Sequence, residues 1–324
     1  MTEAVSRSTG RQHFRVGAGI TFSLVVVAAC FLAGRRLTTT DWPLQQANVA
    51  LVLGASAAYL ASFFLRALGW QWLFPGDRPD RSRCLAACGA AAASGAVLPF
   101  RLDYVIKIWT LRRLGGVRLD LDTIALSIVL LGMVDAVAML PLAIAALATS
   151  QRIFLAPLIV VLLFCVGCVT ALALGPGLVR LPFVDRSDRV QRSLKRVGDQ
   201  ARLSHSTAVA GGFLFGCWSM RALAGTLLLS ALGGGFSPSF ALVVICLAAA
   251  TSILPVTAGG AIVNIGTTSV VLLALGASAR AAINFSLASG MLLTFSALVA
   301  AVVGTAGSTL LTTQRRRWSH ATTV

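Results

Sequence analysis

Long apolar segments separated by short polar ones run through almost the whole chain. A helix needs about 20 mostly apolar residues to cross the hydrocarbon core of a bilayer. Six segments approach or exceed this length, at about 16–33, 47–74, 121–147, 153–174, 207–232 and 280–305. The pattern therefore predicts an all-α polytopic membrane protein with about six transmembrane helices.

A further apolar segment, Cys84–Leu98, is too short to cross and ends at a proline. It would form about 22 Å of helix, against a hydrocarbon core of about 30 Å. Pro99 then breaks the helix because proline lacks an N–H and clashes with the preceding turn. The chain continues as a basic, amphipathic arm, Asp103–Leu114. We expect a re-entrant hairpin that enters and leaves the membrane on one side.

The segment Ser239–Asn264 repeats this form, with an apolar half-helix, Leu254-Pro255 and a glycine turn. The triplet Arg-Ala-Leu begins at Arg66 before the first hairpin and at Arg221 before the second. The spacing from arginine to the hairpin proline is 33 residues in one copy and 34 in the other. These matches predict an internal repeat.

Basic residues are concentrated in the polar segments, and this sets the expected topology. The positive-inside rule places the two termini and the loops 75–83 and 175–206 in the cytoplasm. Six spans and two hairpins satisfy it, and the hairpins then open to opposite sides. Such an inverted repeat is typical of alternating-access transporters. Eight full spans are the alternative if the hairpins cross.

One transmembrane domain, 16–310, is thus expected between cytoplasmic tails at 1–15 and 311–324. It contains repeat one, the basic loop and repeat two, at about 47–148, 175–206 and 207–305. The loop has basic residues at helical spacing, which favours an interfacial helix on an anionic leaflet. A solvated loop is the alternative.

The composition of the chain argues against a soluble domain, a nucleic-acid partner and a metal site. The 324 residues are 57% hydrophobic and only 12% charged, with a mean hydropathy of +0.84, so an extra soluble domain has no room. The net charge of +16 lies in tails and loops, which topology and anionic lipid explain without nucleic acid. All seven cysteines lie in apolar segments, which predicts buried thiols rather than a metal site. No cofactor is expected.

Groups suited to catalysis are scarce. The single glutamate, Glu3, lies in the N-terminal tail, and the histidines are peripheral. The sequence has neither paired carboxylates beside a plausible nucleophile nor a glycine-rich phosphate loop. We therefore expect a protein that is not an enzyme, and whose transport is downhill, ion-coupled or driven by a partner.

Three charges, Arg66, Asp135 and Arg221, lie inside apolar spans. Each would cost at least about 2.5–3.5 kcal/mol at the bilayer centre, so they must pair or face water. One interpretation is a polar groove whose guanidinium groups hold a lipid phosphate. The alternative is an Arg–Asp pair that locks the helices. One acid cannot neutralise both arginines and Arg101, which favours an anionic ligand.

Polar candidates also follow the first helix break. Arg101 and Asp103 come directly after Pro99 and are candidate ligand contacts. Alternatively, they face the headgroup layer from the end of the hairpin. Lys107 is a further candidate, although its position four residues after Asp103 also allows an ordinary ion pair along one helix face.

The second break carries Thr257, Gly259, Gly260 and Asn264, which we expect to form its turn. Glycines expose backbone N–H groups that can surround an oxyanion. The alternative is that these glycines serve only the tight turn.

At these residues the chain resembles the flippase-like integral membrane family known from the transmembrane region of lysylphosphatidylglycerol synthases. Its first signature, Leu-Pro-x-Arg, is present from Leu98, with Asp-Tyr replacing the usual Gly-Glu. Asp135 matches the final acid of a Glu-Arg-x-x-Asp motif in the next helix. The second signature is matched by the Leu-Pro at Leu254 and the Gly-Gly at Gly259. The resemblance covers about residues 16–305.

The resemblance implies binding or movement of a phospholipid or polyprenyl-phosphate-linked lipid between leaflets of the bacterial plasma membrane. It does not extend to lipid aminoacylation, because the aminoacyl-transferring domain is not in this sequence. We expect Arg66, Arg101 and Arg221 to contact the lipid phosphate, with Asp135 orienting one of them.

Two other functions stay open. The protein is alternatively a non-transporting membrane partner of a glycosyltransferase or lipid-modifying enzyme, which would dock on the loop 175–206. It is otherwise a proton-coupled transporter of small solutes with Asp135 as the proton carrier. The sequence does not indicate the oligomeric state.

Overall fold

The computed structural model describes residues 44, 47–74, 78–97, 102–114, 119–178, 204–233, 237–253 and 260–321. The expected first span at 16–33, the N-terminal tail and most of the basic loop 175–206 lie outside these residues.

Every regular element of the described residues is helical, which confirms the all-α fold. The described part of the chain contains nine α-helices, which are α1 Val49–Trp72, α2 Arg81–Val97, α3 Leu102–Arg113, α4 Leu121–Thr149, α5 Leu155–Leu178, α6 His205–Ala231, α7 Pro238–Ile253, α8 Gly260–Ala274 and α9 Ala279–Ala321. A 3₁₀ turn, Arg152–Phe154, leads into α5.

Among the described residues, five helices are long and apolar enough to cross a membrane. They are α1, α4, α5 with its 3₁₀ turn, α6 and α9 up to Thr313. These helices coincide with five of the six expected spans. The chain is therefore a multi-pass membrane protein.

The helices α1 and α6 run antiparallel at the centre of the described bundle. Asn48 caps α1 by accepting a 3.0 Å hydrogen bond from the Ala50 N–H, and its own N–H donates to the Ala231 carbonyl at 3.3 Å. The start of α1 is thus tied to the end of α6. At the other end of the pair, a Cβ on Gly69 would lie only 3.0 Å from Leu214. Small residues allow this close approach.

The helices α2 and α3 form an antiparallel hairpin that leaves and rejoins the same end of α1. Gly95 lies against Asp103, where a Cβ on the glycine would be 3.4 Å from that of the aspartate. Trp70, near the end of α1, contacts Lys107 of α3 and donates a hydrogen bond to Ser127 near the start of α4. The arms are about 26 Å and 18 Å long, and α2 begins at Arg81, one turn before the expected Cys84.

The helices α7 and α8 form the second hairpin, at the opposite end of the α1–α6 pair. It follows the end of α6, where Gly225 faces Ala241 of α7, and precedes the start of α9. Ser269 of α8 donates to Ser286 of α9 at 2.9 Å. The arms are about 24 Å and 22 Å long. The two hairpins therefore start from opposite ends of the described bundle.

The helix α9 is longer than its apolar segment predicts. It has 43 residues and continues to Ala321, well past the expected end of the span near residue 305. It packs against α2 with the backbones almost in contact. A Cβ on Gly304 would lie 2.6 Å from the Ser82 carbonyl oxygen, and one on Gly89 would lie 2.5 Å from that of Ala297.

The six described cysteines are buried and not disulfide-bonded, as their apolar surroundings predict.

Candidate functional site

One face of α1 carries a polar stripe that consists of Tyr59, Ser62, Arg66 and Trp70. Their spacing places them within an arc of about 80° and over about 16 Å of helix length. Each member contacts another part of the bundle through a polar group. The stripe therefore gathers side chains from several helices.

Arg66 forms the central ion pair of the stripe. Its Nη2 donates a hydrogen bond to Oδ2 of Asp135 on α4 at 2.8 Å. The side chains are 20% and 13% exposed. The other carboxylate oxygen, Oδ1, accepts a 2.9 Å hydrogen bond from the indole N–H of Trp218 on α6. Both oxygens of Asp135 are thus engaged, and the Arg–Asp pair that the sequence left open is present.

Arg221 of α6 lies beside Ser62. It is therefore about one helical turn from Arg66, toward the start of α1. Its guanidinium carbon is 5.1 Å from the ring centre of Trp218 and 5.7 Å from that of Phe63, which are cation–π distances. Its Nε donates a long, 3.5 Å hydrogen bond to the Ser62 hydroxyl. Of the described residues, none is an acid that pairs with Arg221.

Lys107 of α3 is a buried cation at the other end of the stripe. Its side chain is 8% exposed, and Nζ lies 4.9 Å from the ring centre of Trp70. Asp103 does not form the ion pair with Lys107 that their spacing allows. Within the described part of the chain, no carboxylate or hydrogen-bond acceptor contacts the ammonium group. The indole face of Trp70 is therefore the group that the ammonium faces in the described structure.

Neutral groups close the end of the stripe away from Lys107. The Tyr59 hydroxyl and the Ser289 hydroxyl of α9 are hydrogen-bonded at 2.8 Å. Ser62, which is fully buried, donates to the Tyr59 carbonyl at 2.7 Å. The charged part of the stripe is therefore limited to the region between Lys107 and Arg221.

Four of the predicted residues come together as a cationic cluster, which consists of Arg66, Lys107 and Arg221 with Asp135. The cations belong to three different helices, and of the three, Arg66 is the one that pairs with the carboxylate of Asp135 in the described structure. Guanidinium and ammonium groups are donors without acceptor capacity, so this arrangement suits an anion.

The other candidates lie elsewhere or outside the described residues. Asp103 is half-buried at the α2–α3 turn, against Gly95. Gly260 and Asn264 were expected in the second turn, but both belong to α8, so that turn is shorter than predicted. The remaining candidates, for which the structure describes no position, are Arg101, Thr257 and Gly259.

Sequence reasoning missed Trp218 and Ser62, which hold the cluster in place. A signal for both was present in the helical spacing, because residues three or four apart share a helix face. Trp218 lies three residues before Arg221, and Ser62 lies four before Arg66.

Trp218→Phe is expected to lower the free energy of unfolding by about 1–3 kcal/mol, because one oxygen of Asp135 loses its donor while the aromatic ring is kept. Thermal unfolding in detergent measures the effect. Trp109→Phe is the matched control, since Trp109 is exposed. Equal shifts in Tm for both variants would contradict the role of the indole N–H.

Comparison with known proteins gives a match to one family. The family model of the lysylphosphatidylglycerol synthase TM region matches residues 16–301. No curated protein and no solved structure matches the chain. The matched region includes the entire cationic cluster and confirms the resemblance indicated by the Leu-Pro motifs.

Proposed function

Because the chain belongs to the lysylphosphatidylglycerol synthase TM region family, we propose that it binds an anionic lipid by its headgroup at the cationic cluster and moves that lipid between leaflets. The lipid is a phospholipid or a polyprenyl-phosphate-linked lipid, and it is not chemically changed. The proposed location is the bacterial plasma membrane, with both termini in the cytoplasm.

The observation that carries the proposal is the excess of positive charge in the cationic cluster. Arg221 and Lys107 have no acidic partner among the described residues, and the one carboxylate, Asp135, is already shared by Arg66 and Trp218. A charge away from water is costly unless it is paired. An anion bound between the three cations would provide the missing partner.

The arrangement of the two hairpins supports movement as well as binding. Their arms, about 18–26 Å long, are shorter than the hydrocarbon core of about 30 Å, and they start from opposite ends of the α1–α6 pair. We interpret them as re-entrant hairpins of an inverted repeat. In transporters of this kind, the binding site lies between the repeats and is reached alternately from either side.

Purified protein in liposomes tests the proposal with a fluorescent anionic phospholipid and an external quencher that does not cross the bilayer. Without transfer, about half of the lipid is protected in the inner leaflet. We expect wild-type protein to remove this protection.

Arg221→Ala is expected to abolish the transfer without unfolding the protein, because Arg221 makes only one long hydrogen bond and two ring contacts with the described residues. Arg280→Ala is the matched control, since Arg280 is exposed at the start of α9. Protection that persists with folded wild-type protein for every anionic headgroup tried would overturn the proposal. Full transfer by the Arg221 variant would overturn the assignment of the site.

A further inference from the structure

The charges of the cationic cluster do not balance. Arg66, Lys107 and Arg221 contribute three positive charges, and Asp135 contributes one negative charge. Asp103 does not cancel the excess, because its carboxylate contacts none of the three cations. Within the described residues, the cluster therefore has two positive charges that no acidic residue neutralises.

The two unpaired cations lie on either side of the Arg66–Asp135 pair. Lys107 is next to Trp70, one turn beyond Arg66 along α1, and Arg221 is next to Ser62, one turn before it. Each of them faces an aromatic ring and lacks an acidic partner in the described structure. Lys107 is buried and Arg221 is partly exposed, and a ligand with a single charge would leave one of them without a counter-charge.

We propose that the headgroup is a dianion, a phosphomonoester attached to a lipid, rather than a monoanionic phosphodiester. This inference rests on the proposed function and narrows its substrate class. A terminal phosphate carries close to two negative charges at neutral pH and has three free oxygens for charge-assisted hydrogen bonds. A phosphodiester has one charge, which leaves one of the two unpaired cations without a counter-charge.

The test compares two lipids that differ by one methyl group. Phosphatidate and phosphatidylmethanol with identical acyl chains are titrated onto the full-length protein in detergent at about pH 8, where the monoester is dianionic. We expect phosphatidate to bind about tenfold more tightly or better, which corresponds to one charge-assisted hydrogen bond. This comparison requires only the wild-type protein.

Lys107→Gln is expected to weaken binding of both lipids, and of phosphatidate more strongly, so that the preference for phosphatidate falls to about threefold or less. Arg113→Gln is the matched control, because Arg113 is an exposed cation on the same helix. A preference that Lys107→Gln leaves intact would overturn the assignment of Lys107 to the dianion.

The binding results test the preference for a dianion and the binding of an anionic lipid separately. Equal binding of the two lipids, or tighter binding of phosphatidylmethanol, would overturn the dianion preference and leave anionic lipid binding intact. Binding of neither lipid would overturn both. Glycerol 3-phosphate is added as a soluble competitor. We expect no displacement of phosphatidate, and displacement at equal concentration would identify a site for a soluble phosphomonoester and overturn the lipid ligand.

Discussion

Asp135→Leu is expected to lower the free energy of unfolding by about 3 kcal/mol or more, the largest effect of any charge substitution in the described bundle. The change leaves the guanidinium of Arg66 mostly buried without its partner and removes the acceptor of the Trp218 N–H. Chemical or thermal unfolding in detergent measures the loss. Asp122→Ala, at the exposed start of the same helix, is the matched control and should change little.

The double variant Arg66→Met with Asp135→Leu should recover most of this stability. A buried ion pair replaced by apolar residues of similar volume is often neutral, whereas removal of one partner leaves a charge uncompensated. The coupling energy between the two substitutions should therefore be large and favourable. Additive losses in the single and double variants would show that the pair does not hold α1 to α4.

Gly304→Ala is the second substitution with a large expected effect, a destabilisation of about 2–3 kcal/mol. The new Cβ would lie 2.6 Å from the Ser82 carbonyl oxygen and 2.8 Å from the Ala86 Cα. These are backbone atoms of α2 and cannot rotate away, so the two helices must separate along their contact.

Gly212→Ala provides a control for which the expected change in Tm has the opposite sign. Gly212 lies inside α6 and has nothing within 4 Å of the position of an added Cβ. Alanine is favoured over glycine within a helix by about 0.8–1 kcal/mol. We expect Gly212→Ala to raise the Tm slightly and Gly304→Ala to lower it. A Tm for Gly304→Ala at or above the wild-type value would contradict the close contact between α2 and α9.

The membrane-crossing helices were predictable because one physical quantity, the length of an apolar segment, determines them. The expected span 47–74 corresponds to α1, Val49–Trp72. The ends of α2 at Val97 and of α7 at Ile253 were predicted from the prolines that follow them, although Pro141 lies inside α4 without ending it. Arg66, Asp135 and Arg221 were predicted as site residues because they are charged and lie inside apolar spans. Such residues are rare in transmembrane helices and usually bind a ligand or pair with one another.

Contacts between distant parts of the chain were not predictable in the same way. The hydrogen bond from Trp218 to Asp135 joins residues 83 positions apart, and only the packing of α4 against α6 brings them together. For Lys107, the sequence left open an ion pair with Asp103 along its own helix. Its actual neighbour is Trp70, because the hairpin folds back against the end of α1.

The end of α9 shows a different limit. The apolar segment ends near residue 305, but a helix continues as long as its residues favour the helical backbone, whether or not they are apolar. Its last glycine is Gly307, and no proline follows before Ala321. Hydropathy therefore indicates where a helix leaves the membrane, and not where the helix ends.

The polar stripe also restricts how α1 can turn about its own axis. Its members are anchored to Ser289 on α9, Arg221 on α6, Asp135 on α4 and Lys107 on α3. A rotation by one residue, about 100°, would turn every one of these groups away from its partner at once. The central helix therefore has one rotational position in the bundle, and a rearrangement that preserves these contacts must move α3, α4, α6 and α9 together with it.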